Sequence, residues 1–260
     1  MSDRFFIVGA QRCGTTYLYH LLDAHPEIEM ARPVRPEPKF FLNDALFDQG
    51  LKHYDQAYFQ GKRGARLKGE KSTSYLESDT AARRIAGAFP RARILVLLRD
   101  PIARAVSHWR FSVENGVEDL PLEEAFRQEA ERRDRYDRER FSVSPWAYLK
   151  RGRYIDDILR WEKLFPRERI GVFLYEALLA APETLANLYG FLGADPAFVP
   201  ERVGERINPS AQPPAGTETL SAETVQWLDR YFAEPNARLA VWMGMDLSRW
   251  WKRTPENAAR

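Results

Sequence analysis

A single cysteine, Cys13, is present among the 260 residues, so no internal disulfide framework can form and a four-cysteine zinc site is impossible. Histidine is nearly as scarce. His20, His25, His53 and His108 are the four, and with one cysteine they cannot complete a Cys2His2 set, so neither a structural metal site nor a required metal is expected. Long hydrophobic runs are missing too: the longest, Ile94 to Leu98, falls far short of the ~20 apolar residues that cross a bilayer, so no integral membrane segment is expected. Four residues precede the first strand-like run, too few for a secretory signal, and the expected compartment is the cytoplasm. A large charge imbalance is also absent. The 39 basic and 37 acidic residues leave a net +2, which excludes the basic stripe of a nucleic-acid partner. Nothing in the sequence speaks to oligomeric state.

What is present is the mix of a soluble globular protein, 44% hydrophobic and 29% charged, long enough to bury a core without staples. One domain over 1–260 is expected, with an irregular loop over 200–218, where four prolines fall, and a helical C-terminal segment over 219–260. Arginine makes up 31 of the 39 basic residues. That bias suits forked anion recognition, although genome composition produces it equally well. The densest charge run, Glu123 to Arg140, interleaves seven acids with six arginines. Pairs such as Glu123/Arg127, Glu131/Arg135 and Asp134/Arg138 predict a solvated helix, and a run that nearly cancels itself cannot bind phosphates.

Strand and helix patterns alternate along the chain. Phe5 to Val8 reads as a buried strand ending at Gly9, and Thr15 to Ala24 as a helix stopped by His25-Pro26. Ala31 to Pro38, with three prolines, must be an extended loop. Arg66 to Glu70 and Arg93 to Leu98 read as strands, followed by helices over Asp79 to Phe89 and Pro101 to Glu114. A helix over Tyr154 to Phe165, a strand over Ile170 to Leu174, helical material to Leu192, and two amphipathic stretches over 220–232 and 235–243 complete the order. Near-continuous apolar strands between helices predict an α/β fold: a P-loop-type three-layer sandwich with a central parallel sheet flanked by helices. Ligands in such sheets bind outside the carboxyl ends of the strands.

At the end of the first strand stands Gly9-Ala10-Gln11-Arg12-Cys13-Gly14-Thr15-Thr16. A strand, a glycine-bounded loop and a helix start aim backbone N–H groups at an anion. The spacing fits G-x-x-x-x-G-K-[ST] with one departure: the lysine that reaches a triphosphate is Thr15, and the cation stands inside the loop at Arg12. A magnesium-binding aspartate is also missing in its usual form, because Arg99 intervenes between the apolar strand and Asp100, and Pro101 follows. The loop suits a phosphate-like anion held without metal.

Together these segments resemble the sulfotransferase family that uses 3'-phosphoadenosine 5'-phosphosulfate (PAPS). Gly9 to Thr16 is similar to its 5'-phosphosulfate loop. Arg99-Asp100-Pro101-Ile102-Ala103-Arg104-Ala105-Val106-Ser107-His108-Trp109 resembles its 3'-phosphate signature, where an arginine at a strand end and a serine eight residues later hold that phosphate. Pro36-Glu37-Pro38-Lys39-Phe40-Phe41 and Gly69-Glu70-Lys71-Ser72-Thr73-Ser74-Tyr75 are similar to catalytic and substrate segments of the bacterial and heparan-type members. Gly152 to Leu174 carries the family's G-x-Y, tryptophan and strand pattern, and Asn208-Pro209-Ser210 is similar to a late loop over the nucleotide. The resemblance covers roughly residues 4–192.

The resemblance implies an enzyme that moves a sulfuryl group from PAPS, its co-substrate, to a hydroxyl or amine of a small-molecule, glycan or lipid acceptor by in-line transfer. Glu37 is implied as the general base, between two prolines that remove local amide donors. Glu70 is the second candidate for that role, or an orienter of Lys71. Lys71 and Arg12 supply positive charge near the sulfonate. Gln11, Arg12, Cys13, Gly14, Thr15 and Thr16 are expected around the 5'-phosphosulfate, and Arg99 with Ser107 around the 3'-phosphate, where an arginine fork is bidentate. Lys39, Phe40 and Glu70 are the candidate acceptor contacts. The family's usual lysine before the glutamate is here Pro36, and its frequent histidine two positions after is Lys39, so the acceptor is set differently. His108 is read as a packing residue. Two other classes compete: a P-loop small-molecule kinase, disfavoured by Thr15, and a non-catalytic nucleotide-binding module, disfavoured by Glu37 and Lys71.

Overall fold

The computed structural model describes residues 3–201 and 219–250. In chain order the elements are β1 (Asp3–Gly9), α1 (Thr15–Ala24), β2 (Ile28–Met30), α2 (Asp44–Phe47), α3 (Gly50–Tyr58), β3 (Leu67–Lys71), α4 (Asp79–Ala88), β4 (Arg93–Leu98), α5 (Pro101–Glu114), α6 (Leu122–Arg127), α7 (Glu129–Arg132), α8 (Tyr154–Glu162), β5 (Ile170–Leu174), α9 (Tyr175–Ala180), α10 (Pro182–Leu192) and α11 (Ala222–Met243). They group into two compact units, Met1–Leu98 with Ile158–Asn208, and Arg99–Asp157 with Pro209–Arg260.

The first unit is a five-stranded sheet in the order β2-β3-β1-β4-β5, with every pair parallel. β1, β4 and β5 carry apolar runs because both faces of the sheet are covered, whereas β3 carries Lys68, Glu70 and Lys71. On one face Phe5, Ile7, Leu95 and Leu97 pack against Leu18, Leu21 and Leu22 of α1 and against Leu185, Leu188 and Tyr189 of α10. On the other, Phe6 meets the rings of Phe41 and Phe89, and Tyr54 of α3 joins the same aromatic cluster. The expected three-layer α/β sandwich is therefore present. The order places β1 between two strands that follow it in the chain, so the carboxyl ends of β1, β3 and β4 share the edge where the topology switches sides. In register, Phe6 lies opposite Glu70 and Ile7 opposite Lys71.

The second unit packs Ile102, Ala105 and Trp109 of α5 with Leu122 and Phe126 of α6, Tyr148, and Leu228 and Phe232 of α11. Asp100 caps α5, accepting from the amides of Ile102 and Ala103 at 2.9 Å each, with Pro101 in the first turn. That carboxylate caps the helix end.

Two expectations need correction. The charge run does not form one solvated helix: α6 and α7 end at Arg132, so the pairs at Glu131/Arg135 and Asp134/Arg138 have no helix to sit on. Within the run, Glu129 is buried and accepts from the amides of Leu149 and Lys150. Tertiary hydrogen bonds outweigh the i,i+4 pairs, each of which contributes only a few tenths of a kcal/mol. The stretches 220–232 and 235–243 are one helix, α11, running through Pro235. Leu228, Phe232, Pro235, Asn236 and Leu239 are buried along it as a single stripe, which offsets the amide that proline removes. The short β2 precedes the loop read over Ala31 to Pro38, and the helices α2 and α3 follow it, both in stretches left unassigned. β2 has three residues, and α3 buries only Tyr54, so neither leaves an apolar period. Residues 202–218, including Asn208, Pro209 and Ser210, lie outside the described residues.

Candidate active site

The loop leaving β1 is anchored on both sides. Ala10 donates its amide to the carbonyl of Leu97 in β4 at 2.9 Å, and Ser72 and Leu76 donate theirs to Ile7 and Val8. Gln11 reaches across through Nε2 to Ser74 Oγ at 3.2 Å. Gly14 ends the loop at φ +80° as the N-cap of α1, where a Cβ would lie 2.3 Å from the ring of Tyr175. A glycine cap offers no side chain to the first amides of α1, and no acid stands in the first turn, so those N–H groups and the helix dipole remain suited to an anion. Arg12 is held at φ +66°, a left-handed backbone that non-glycine residues adopt at a cost and that clusters at functional sites. Cys13 is fully buried, with Sγ 3.7 Å from the Gln11 carbonyl: it fills the loop, while Thr15 is buried and Thr16 half-buried at the helix start.

Beside this loop, the end of β3 carries the charged pair. Lys71 Nζ donates to Glu37 Oε1 at 2.5 Å. The amide of Thr73 donates to Glu37 Oε2 at 2.8 Å, and Thr73 Oγ1 lies 3.1 and 3.0 Å from the two oxygens. Three donors thus meet a carboxylate with about four lone-pair sites, leaving one for an incoming proton. Pro36 and Pro38 do strip the local chain of amide donors, and the turn after β3 replaces them. His20 of α1 is half-buried on the same side. Burial lowers its pKa, Asp23 opposes that, and the positive charges of Lys71, Arg32 and Arg35 lower it further.

The candidate acceptor residues fall out differently. Phe40 and Glu70 are 0% and 1% exposed, so neither side chain meets a solute, and the expectation that they contact the acceptor is corrected by their burial. Phe40 packs on Phe41 and Tyr54. Glu70 accepts from Tyr54 at 2.7 Å and Ser72 at 2.6 Å, on the opposite face of β3 from Lys71, which also removes it as an alternative base. Burial raises its pKa, with the hydrogen bonds from Ser72, Tyr54 and Tyr75 acting against that rise. Lys39 is half-buried at φ +50°.

In the second unit, Arg99 is half-buried, with its carbonyl accepting from Tyr154 at 2.8 Å. Ser107 is buried in α5. His108 packs its ring on Tyr148, 4.9 Å between centroids. Sequence reasoning gave no role to Thr73, Ser72, Tyr75 or Tyr175. The hydroxyl-rich run Ser72-Thr73-Ser74-Tyr75 directly after a strand was the available signal for the first three.

Residues 2–210 match the family described as the sulfotransferase domain. The chain belongs to the sulfotransferase family. Among solved structures, a sulfotransferase from Alicyclobacillus acidocaldarius is 30% identical with a TM-score of 0.77, covering 96% of this chain and 99% of that one. Heparan sulfate glucosamine 3-O-sulfotransferase 6 of Mus musculus is 29% identical over 196 residues, 72% of this chain. The human bifunctional heparan sulfate N-deacetylase/N-sulfotransferase 1 is 32% identical over 114 residues, 42% of this chain and 13% of that protein. The chain spans about half the length of the mouse relative, 51%. Among its described residues no helix is long and apolar enough to cross a membrane.

Proposed function

We propose that the protein transfers a sulfuryl group from PAPS to a hydroxyl or amine of a glycan acceptor, with Glu37 as general base. The observation that carries this reading is the Lys71–Glu37–Thr73 cluster, held on β3 one strand away from the anion-binding loop. In the proposed step Glu37 takes the proton of the acceptor while the acceptor oxygen or nitrogen bonds to sulfur. The bond from sulfur to the bridging oxygen breaks, and its electron pair stays on the 5'-phosphate of the departing nucleotide. Lys71, Arg12 and the amides of Gly14, Thr15 and Thr16 supply positive charge and hydrogen bonds where that oxygen becomes negative. Arg99 and Ser107 hold the 3'-phosphate. Fixed cations and N–H donors suffice for this stabilisation, and no metal is invoked.

A glycan acceptor is favoured by the heparan sulfate relatives and by the chain leading to the base. Arg32 and Arg35 are exposed and Lys39 half-exposed in that loop, which suits a sugar carrying carboxylate or sulfate groups. The reading is tested by incubating the protein with PAPS and an acceptor panel of desulfated and partly sulfated glycosaminoglycan oligosaccharides, a phenol and a lipid alcohol. The expected result is a gain of one sulfonate mass on an oligosaccharide. Stabilisation by ATP with magnesium equal to or above that by 3'-phosphoadenosine 5'-phosphate would replace the reading with a kinase.

A further inference from the structure

Glu70 sits directly before Lys71, yet its side chain enters the aromatic layer on the other face of the sheet, 1% exposed. Its hydrogen bonds run toward the loop that carries Glu37. Ser72 Oγ donates to Glu70 Oε1 at 2.6 Å and accepts from the amide of Lys39 at 2.9 Å. Tyr75 hydrogen-bonds Glu70 through its hydroxyl and accepts from the amide of Phe41 at 3.0 Å. Tyr54 donates to Glu70 Oε2 at 2.7 Å. Two amides of the Glu37 loop are thus satisfied by two hydroxyls, and both hydroxyls hand their proton to one carboxylate.

The chemistry of that arrangement is directional. A hydroxyl has one proton and two lone pairs. Because the amides of Lys39 and Phe41 donate to the two hydroxyls, Ser72 and Tyr75 turn lone pairs outward to the loop and their protons inward to Glu70. Lys39 needs the support most: its backbone is left-handed at φ +50°, a conformation that a lysine does not hold without outside contacts. Two residues before it stands Glu37.

We propose that Glu70 is a positioning residue: a buried acceptor that fixes the proton direction of Ser72 and Tyr75, and through them the loop that presents Glu37. The functional part of this inference rests on the reading of Glu37 as the base. The hydrogen-bond relay itself does not.

The test combines amide exchange, resolved to single residues on the full chain, with kinetics on the acceptor found in the panel. Ser72→Ala is expected to speed exchange at Lys39 at least tenfold and leave Phe41 protected, and Tyr75→Phe to do the reverse. Glu70→Gln keeps the shape but adds an N–H donor, so it is expected to speed both, with β1 and β4 protection unchanged. Glu70→Asp keeps the acceptor polarity and is expected to lie closer to the wild type than Glu70→Gln. In turnover, Glu70→Gln is expected to lower kcat at least tenfold with the Kd for 3'-phosphoadenosine 5'-phosphate within twofold. Unchanged exchange at Lys39 and Phe41 in Glu70→Gln overturns the proposal, and so does loss of protection spread equally over β1 and β4. A wild type that transfers no sulfuryl group removes the reading of Glu37 as base, while the exchange pattern still decides the relay.

Discussion

Lys71 and Glu37 form an ion pair whose cation is the deeper member, with 3% of the lysine side chain exposed against 16% of the glutamate. The asymmetry fixes which partner suffers more when the other is removed. Without Lys71, the carboxylate keeps its Thr73 donors and gains water. Without the negative charge of Glu37, a buried ammonium loses its counterion, a loss that reaches about 3–5 kcal/mol for a fully buried pair.

Glu37→Gln is therefore expected to melt at lower temperature than Lys71→Met when both are free of ligand. An anionic nucleotide restores a counterion, so 3'-phosphoadenosine 5'-phosphate should stabilise Glu37→Gln at least as much as it does the wild type. Turnover should fall by a factor of ~10²–10⁴, the usual scale of a lost general base. Differential scanning fluorimetry and initial rates check the three outcomes. Weaker nucleotide binding in Glu37→Gln would assign the residue to the donor site instead.

Gly14→Ala should damage both stability and anion binding. The new Cβ meets the Tyr175 ring at 2.3 Å and must adopt φ near +80°, which costs an L-residue about 1–2 kcal/mol. Combining it with Tyr175→Ala relieves the collision but not the backbone strain. Calorimetric titration with 3'-phosphoadenosine 5'-phosphate should show at least a tenfold loss in the single variant and partial recovery in the double. Full recovery would mean that packing alone requires the glycine.

Arg99→Ala should discriminate against one phosphate. A hydrogen bond to a charged group contributes about 1.5–3 kcal/mol, so affinity for 3'-phosphoadenosine 5'-phosphate should drop roughly ten- to a hundredfold. Binding of adenosine 5'-phosphosulfate, which lacks that phosphate, should hold. Equal losses for both ligands would make Arg99 a structural residue.

His20 gives stability a pH dependence of definite sign. Burial and the neighbouring cations depress its folded pKa below the ordinary 6.5, so between the folded and unfolded values the unfolded chain binds more protons. The contribution of a neutral His20 is complete above about pH 6.5 and is lost as pH falls through the depressed folded value. Urea unfolding of wild type and His20→Gln from pH 8 to pH 5 should show the wild type losing more. Parallel curves would remove His20 from the titration.

The strands β1, β4 and β5 and the helices that follow β1 and β4 were legible because their residues carry the whole signal: an apolar run, a glycine or proline boundary, a buried stripe. Thr15–Ala24 and Pro101–Glu114 form within the limits that the sequence indicates. Glu37 and Lys71 were legible as a resemblance between segments, but their union depends on the register of β3 and on a loop 34 residues earlier in the chain. No local pattern encodes that. Glu70 was misread for the same reason, since a carboxylate next to Lys71 gives no hint in one dimension that the pleat turns it away. The reading of 220–232 and 235–243 as two stretches was wrong in the opposite direction: the buried stripe that runs through Pro235 is visible only in three dimensions.

The pairing of Ile7 with Lys71 and of Phe6 with Glu70 makes the sheet a sorting device for neighbours of opposite sign. Side by side on a flexible chain, Glu70 and Lys71 would largely neutralise one another. Successive residues of a strand leave on opposite sides, and here that alternation sends the cation to Glu37 and the anion to the hydroxyls beneath the loop. A slip of β3 by one residue would exchange them, burying an ammonium among the rings of Tyr54 and Phe41 and confronting Glu37 with a second carboxylate. Insertions before Leu67 or after Leu76 leave this assignment intact, whereas a single residue added within β3 reverses it. The reading frame of five residues thus carries as much of the chemistry as the side chains themselves.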